Sequence, residues 1–157
     1  MHDRNLLLSS TAAPAAGARW LSASVLVPWA AQLAVAAILA QTLWFKFTYA
    51  PETQVIFAGR GGRPAATAVG IIELACVALL LIPRTAAVGA VLSLLVIGGA
   101  LFTHLTSLGI AIKDPATGES DGGLLFGLAV AVAVGSLVVL ALRWRQLPFV
   151  GRVVSIS

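Results

Sequence analysis

The chain has 157 residues, 59% of them hydrophobic and 10% charged, with a formal charge of +4. A soluble domain carries about 25% charged residues, so the composition excludes an ordinary soluble protein and points to lipid as the solvent. The 10 basic residues are scattered, which excludes the basic face or motif of a nucleic-acid-binding protein. The single cysteine, Cys76, excludes an internal disulfide or dithiol couple and, in its apolar stretch, reads as a small buried hydrophobe.

Residues 1–20 mix Ala and Ser with polar groups, lack a signal-peptide pattern and read as a flexible cytoplasmic tail. A membrane domain is expected over residues 21–145. Its first span is predicted over about 25–47, long enough for the ~20 apolar residues a crossing needs. Pro28 sits in its first turn, where a missing N–H does no harm, and Trp44 lies at the far end as an interfacial anchor. Pro51 then starts a short helix through Phe57, with Glu52 in its first turn, resting at the interface. Gly59, Gly61, Gly62 and Pro64 break the helical pattern.

The second span is predicted over about 67–82, with a start nearer Pro64 as the alternative. Pro83 and Arg84 mark a tight turn, and the third span covers about 85–110. A solvated loop follows over 113–122, with Asp114, Pro115, Gly118, Glu119 and Asp121. The fourth span covers about 123–142 and ends on Arg143, Trp144 and Arg145. Residues 146–157 form a C-terminal tail. The expected fold is all-α: an integral membrane four-helix bundle with both ends in the cytoplasm. With that orientation the cytoplasmic side holds six basic residues (Arg4, Arg19, Arg84, Arg143, Arg145 and Arg152) against four opposite (Lys46, Arg60, Arg63 and Lys113).

Close approach of helices in lipid relies on small residues. The fourth span offers Gly127, Ala131 and Gly135; the first offers Ala30 and Ala34, then Ala36 and Ala40; the third offers Gly89 and Ser93, then Gly99 and Thr103.

Ionisable residues inside a span are costly and face the bundle interior. Gln41, Glu73 and His104 fall about 5–13 Å below the outer surface by the ~1.5 Å helical rise. Lys46 lies nearer that surface and can reach inward on its long stem, and Asp121 caps the outer start of the fourth span. One reading is a binding pocket with Glu73 as its central acid. The other is a structural ion pair or hydrogen-bond network. Trp44, Phe45, Phe47, Tyr49 and Phe57 gather at the same end, either lining a site for an apolar ring such as a quinone or forming an aromatic belt. One His, one Glu and no thiol pair provide too few ligands for a metal site, and no nucleophile–base pair is apparent.

Three pieces of sequence resemble the DoxX family of small four-span bacterial membrane proteins. The first is Gln41-Thr-Leu-Trp-Phe-Lys46-Phe47, followed by a Pro-Glu loop and Val55-Ile-Phe57. The second opens on Gly70-Ile-Ile-Glu73-Leu74 and closes on Pro83-Arg84-Thr85. The third runs from Gly89-Ala90 to Gly99-Ala-Leu-Phe-Thr-His104-Leu105. The likeness covers about residues 25–142. It implies a four-helix protein of the bacterial cytoplasmic membrane. The family takes its name from a subunit of a thiosulfate:quinone oxidoreductase, and other members are associated with membrane redox complexes and oxidative-stress defence.

Three functions follow as expectations. The leading one is a subunit or accessory of a quinone-linked redox system, with Gln41, Trp44, Lys46, Glu73 and His104 around the ligand. Its partners would be the lipid bilayer and a soluble or membrane redox subunit. The second is a non-catalytic anchor for a partner enzyme, and the third a small transporter formed by a homo-oligomer.

Overall fold

The computed structural model describes residues 23–114 and 117–147. The expected tails over 1–20 and 146–157 lie outside these residues, apart from Gln146 and Leu147. The apolar stretches become α1 (Ala23–Thr48), α3 (Gly62–Leu81), α4 (Ala86–Thr103) and α5 (Leu124–Arg143), and the short α2 (Pro51–Phe57) sits between α1 and α3. All four long helices are long and apolar enough to cross a membrane, α4 with its extension to Leu108 and α5 with its extension to Gln146. Only 22–33% of each apolar window is buried by the protein itself, so most of the apolar surface is left for lipid. This is the architecture of a multi-pass integral membrane protein.

Local chemistry explains the boundaries. Pro51 starts α2 at a position where no N–H is needed. Gly61 and Gly62 take positive φ values of 92° and 56°, which a residue with a side chain rarely adopts. They turn the chain back, and α3 begins at Gly62, five residues before the expected Thr67. Pro64 permits this early start because it falls in the first turn. At the opposite end, Thr85 donates its hydroxyl toward Leu79 O (2.9 Å) and Ile82 O (3.2 Å), closing the Pro83–Arg84 turn.

Beyond Thr103 the α-helix widens into a π-helical turn, His104–Leu108. Gly109 ends it with φ of 81° and donates its N–H to His104 O at 2.8 Å. The following loop is pinned by an isolated antiparallel bridge between Lys113 and Ser120.

The long helices form a ring in the order α1, α3, α4, α5, with α5 returning to α1. The α1–α3 and α4–α5 faces are the more extensive, so the bundle consists of two helix pairs joined along two narrower seams. One end, the turn end, carries the Pro83–Arg84 turn and Arg143. The other, the loop end, carries α2 and the 109–123 loop. Leu39, Leu80, Val35, Val132 and Val139 are the largest fully buried apolar side chains of the core.

The seams are closed in the turn half. A Cβ on Gly89 would lie 2.9 Å from Leu80 N and 3.0 Å from Leu79 Cβ, and one on Gly135 would lie 2.5 Å from Val35 Cγ2. These glycines therefore let the helices touch. Arg143 adds a tie across elements: its Nη1 donates to Pro83 O at 3.3 Å, and its guanidinium lies 5.8 Å from the centre of the Trp29 ring. The other expected small-residue positions differ. Ala30, Ala34 and Ala40 are exposed, whereas Ala36 is buried, and Gly127 and Gly99 have nothing within 4 Å of an added Cβ.

Candidate functional site

The loop half contains a cavity of about 550 Å³ between the two helix pairs, with lining residues from α1, α2, α3, α4, the π turn and α5. Its volume falls in the ~300–1,000 Å³ range of small-molecule sites. Most of its surface is apolar: Phe45, Ile56, Phe57, Ile72, Val96 and Leu128 are among its lining residues.

The α1–α3 wall carries an ion pair. Lys46 Nζ lies 2.8 Å from Glu73 Oε2. The Thr42 hydroxyl is 3.1 Å from the same oxygen and 2.8 Å from Leu39 O, so its single proton serves two acceptors. Thr42 and Lys46 are four residues apart and therefore stack on one face of α1. Gly70, one turn from Glu73, permits the close helix approach this requires: a Cβ there would lie 3.1 Å from Phe47 Cε1 and 3.5 Å from Lys46 Cβ. Glu73 is only 4% exposed. A lone buried carboxylate carries a penalty of several kcal/mol, and Lys46 compensates it on the spot. Both of these contacts fall on Oε2.

The opposite wall, α4–α5, carries His104, also 4% exposed. Its Nδ1 lies 2.9 Å from Gly109 O. A carbonyl can only accept, so Nδ1 carries the proton and donates. In the neutral ring Nε2 is then the acceptor. The π turn brings Gly109 O under the ring, and Phe126 packs against it edge-on at 5.7 Å between centroids and 66° between planes. π turns of this kind are frequent at functional sites.

Asp121 also lines the cavity, but its oxygens are engaged. Oδ1 accepts from Ile112 N (2.7 Å) and Gly123 N (3.0 Å), and Oδ2 from Leu125 N (3.1 Å). Burial would raise this carboxyl, but the N–H groups of Gly123, Leu125 and Ile112 outweigh it. With the nearby His104 ring they hold Asp121 below the usual carboxylate range. Its work is to tie the loop to the start of α5.

Helix α2 roofs the cavity. Thr53, 3% exposed, donates to Phe45 O at 3.0 Å and holds α2 against α1. Glu52 also lines the cavity, and its Oε2 is buried with no hydrogen-bond partner. Arg60 reaches the lining while its Nη1 donates to Ile56 O at 3.0 Å.

The structure thus brings Gln41, Lys46, Glu73 and His104 to one cavity. Gln41 reaches it from an exposed position. Trp44 is 71% exposed and lies off the lining, where an aromatic belt residue would stand. Thr42, Thr53, Glu52 and Arg60 are additions. Thr42 was detectable in principle, one helical turn before Lys46. The α2 contributions depend on how that helix folds back, which has no local sequence signal. Among the described residues no group of three His, Cys, Asp or Glu side chains is placed to hold a metal ion. Comparison of the chain with protein-family models, curated proteins and solved structures returns no match.

Proposed function

We propose that this is a DoxX-like protein of a bacterial cytoplasmic membrane that holds a quinone, or a similar lipid-soluble carbonyl compound, for a partner redox subunit. The observation that carries this reading is the facing of two polar walls across an apolar cavity. Lys46 retains N–H donors beyond the one directed at Glu73, and His104 presents Nε2 from the other helix pair. A quinone is a flat apolar ring with carbonyl oxygens on opposite edges. In this reading Lys46 donates a hydrogen bond to one oxygen, and His104 Nε2 accepts from the hydroxyl that forms at the other on reduction. Reduction to the hydroquinone takes two electrons from the partner subunit and two protons from solvent at the loop end, and Glu73 accepts from the hydroxyl on the Lys46 side.

The loop end faces away from the cytoplasm in this proposal, following the distribution of basic residues. The closed turn half supports a binding site over a channel through a single chain.

The test is titration of the purified protein with short-chain ubiquinone and menaquinone analogues. Saturable binding that Glu73→Gln and His104→Ala each weaken about tenfold, the loss of roughly one charge-assisted hydrogen bond, is the expected result. No saturable binding, or binding unchanged in both variants, would overturn the proposal.

A further inference from the structure

The α3–α4 seam changes character along its length. On α4, residues 89, 92, 96, 99 and 103 are spaced by three and four and form one stripe. On α3, residues 69, 72, 76 and 79 do the same. At the turn end the two stripes touch, Gly89 lying against Leu79 and Leu80. In the loop half the same stripes supply Val69, Ile72, Val96, Gly99 and Thr103 to the cavity lining. There Gly99 is exposed and an added Cβ would meet nothing within 4 Å, while Ile72 is 42% exposed. The cavity therefore reaches the lipid-facing surface along this seam.

The opening is apolar. Thr103 donates its hydroxyl to Gly99 O at 2.9 Å, so the polar atoms at the mouth satisfy each other within α4. The α1–α5 seam also borders the cavity, lined by the larger side chains Phe45, Leu124 and Leu128, of which Leu124 is 61% exposed, with Gln41 exposed beside them. The α3–α4 seam differs in having a glycine on the cavity lining, so its backbone is approachable where the other seam presents larger side chains.

We infer that the cavity's ligand is a single-headed amphiphile that enters sideways from the leaflet at the loop end. Its hydrocarbon tail lies between α3 and α4 over Gly99 while its head reaches the Lys46–Glu73 pair. This rests on the functional proposal and deepens it, because it fixes the path of the ligand's tail. It makes Gly99 a specificity-determining residue: a side chain there occupies the space of the tail and leaves the polar wall intact.

The test uses the full-length protein in nanodiscs, with Gly99→Leu and, as a control of equal bulk, Gly127→Leu on α5. Gly127 also has open space around an added Cβ and lies off the cavity lining. Binding of a decyl-substituted benzoquinone is compared with binding of the same ring without the chain. Gly99→Leu should weaken the decyl compound about tenfold, equivalent to the lost contact of roughly two methylene groups. It should change the chainless ring less than twofold, and Gly127→Leu should change neither. Equal weakening of both compounds by Gly99→Leu, or no weakening of either, overturns the tail path while leaving the quinone reading standing. If the wild-type protein binds neither compound, the quinone reading fails and a second arm decides the seam. A ringless alkyl amphiphile carrying a photoreactive group on its chain should then label Ile72 and Val96 in the wild type and not in Gly99→Leu. Labelling that Gly99→Leu leaves unchanged would overturn the inference.

Discussion

In the turn half of the bundle, Gly89 and Gly135 bring neighbouring helices into contact; in the loop half, Gly98, Gly99 and Gly127 face open space. The same residue type thus joins helices in the turn half and at Gly70, yet leaves the loop half open at Gly98, Gly99 and Gly127, and the difference lies in what stands opposite. Leu79, Leu80 and Val35 meet the turn-half glycines. In the loop half the two helix pairs border a cavity instead. Polar groups add a second difference, although Glu52 Oε2 in the loop half is also unpartnered. Gln32 and Ser136 are fully buried in the turn half with no hydrogen-bond partners for Gln32 Nε2, Gln32 Oε1 or Ser136 Oγ. Glu73, Lys46, Thr42 and His104 in the loop half are paired and oriented. One half is a clamp, the other a site whose polarity is arranged.

The largest effect should follow from breaking the ion pair. Lys46→Met leaves Glu73 buried without its partner, and thermal unfolding in detergent should show a loss of about 3–5 kcal/mol. Adding Glu73→Gln should recover most of it; a double variant as unstable as the single one would break the comparison. Next, Gly135→Leu should lose about 1–3 kcal/mol by overpacking against Val35, whereas Gly98→Leu should be close to neutral. Equal losses at both positions would mean that the loop half is packed as tightly as the turn half.

Gln32→Leu should stabilise the protein by about 1 kcal/mol, because it removes a buried amide without removing anyone's partner. Destabilisation would show that the amide has work in the clamp. Asp121→Asn should lose about 1 kcal/mol at neutral pH, because an amide nitrogen replaces the Oδ2 that accepts from Leu125 N, and it carries a pH signature. The folded-state carboxyl titrates below its unfolded value, so its contribution is present above the unfolded range and fades as pH falls through the lower, folded one. Unfolding curves of the wild type and Asp121→Asn should therefore converge in acid. Curves that stay parallel would remove the carboxylate's charge from the account.

Much of the fold is legible in sequence because lipid makes one demand repeatedly: long apolar helices with punctuation between them. The spans, the Pro51–Phe57 helix and the Pro83–Arg84 turn all follow from that demand. The start of α3 at Gly62 was less legible, since Pro64 reads as a breaker until it is seen to occupy a first turn. The shared depth of Gln41, Glu73 and His104, with Lys46 nearer the surface, is also readable, from helical rise alone. Which of them meet is not. Lys46 finds Glu73 because Gly70 admits Phe47, and His104 turns on a π-helical widening that no local pattern announces. Trp44 has the right depth and the wrong face. The division into two helix pairs depends on shape across helices, so periodicity within each could not reveal which seams stay open.

The most direct test of the central claim is a crystal structure grown in a lipidic phase with a bromine-substituted benzoquinone. The account predicts an anomalous bromine peak inside the cavity, between Glu73 on one helix pair and His104 on the other. A peak only on the lipid-facing surface beside Trp44, with none between the two polar walls, would contradict it.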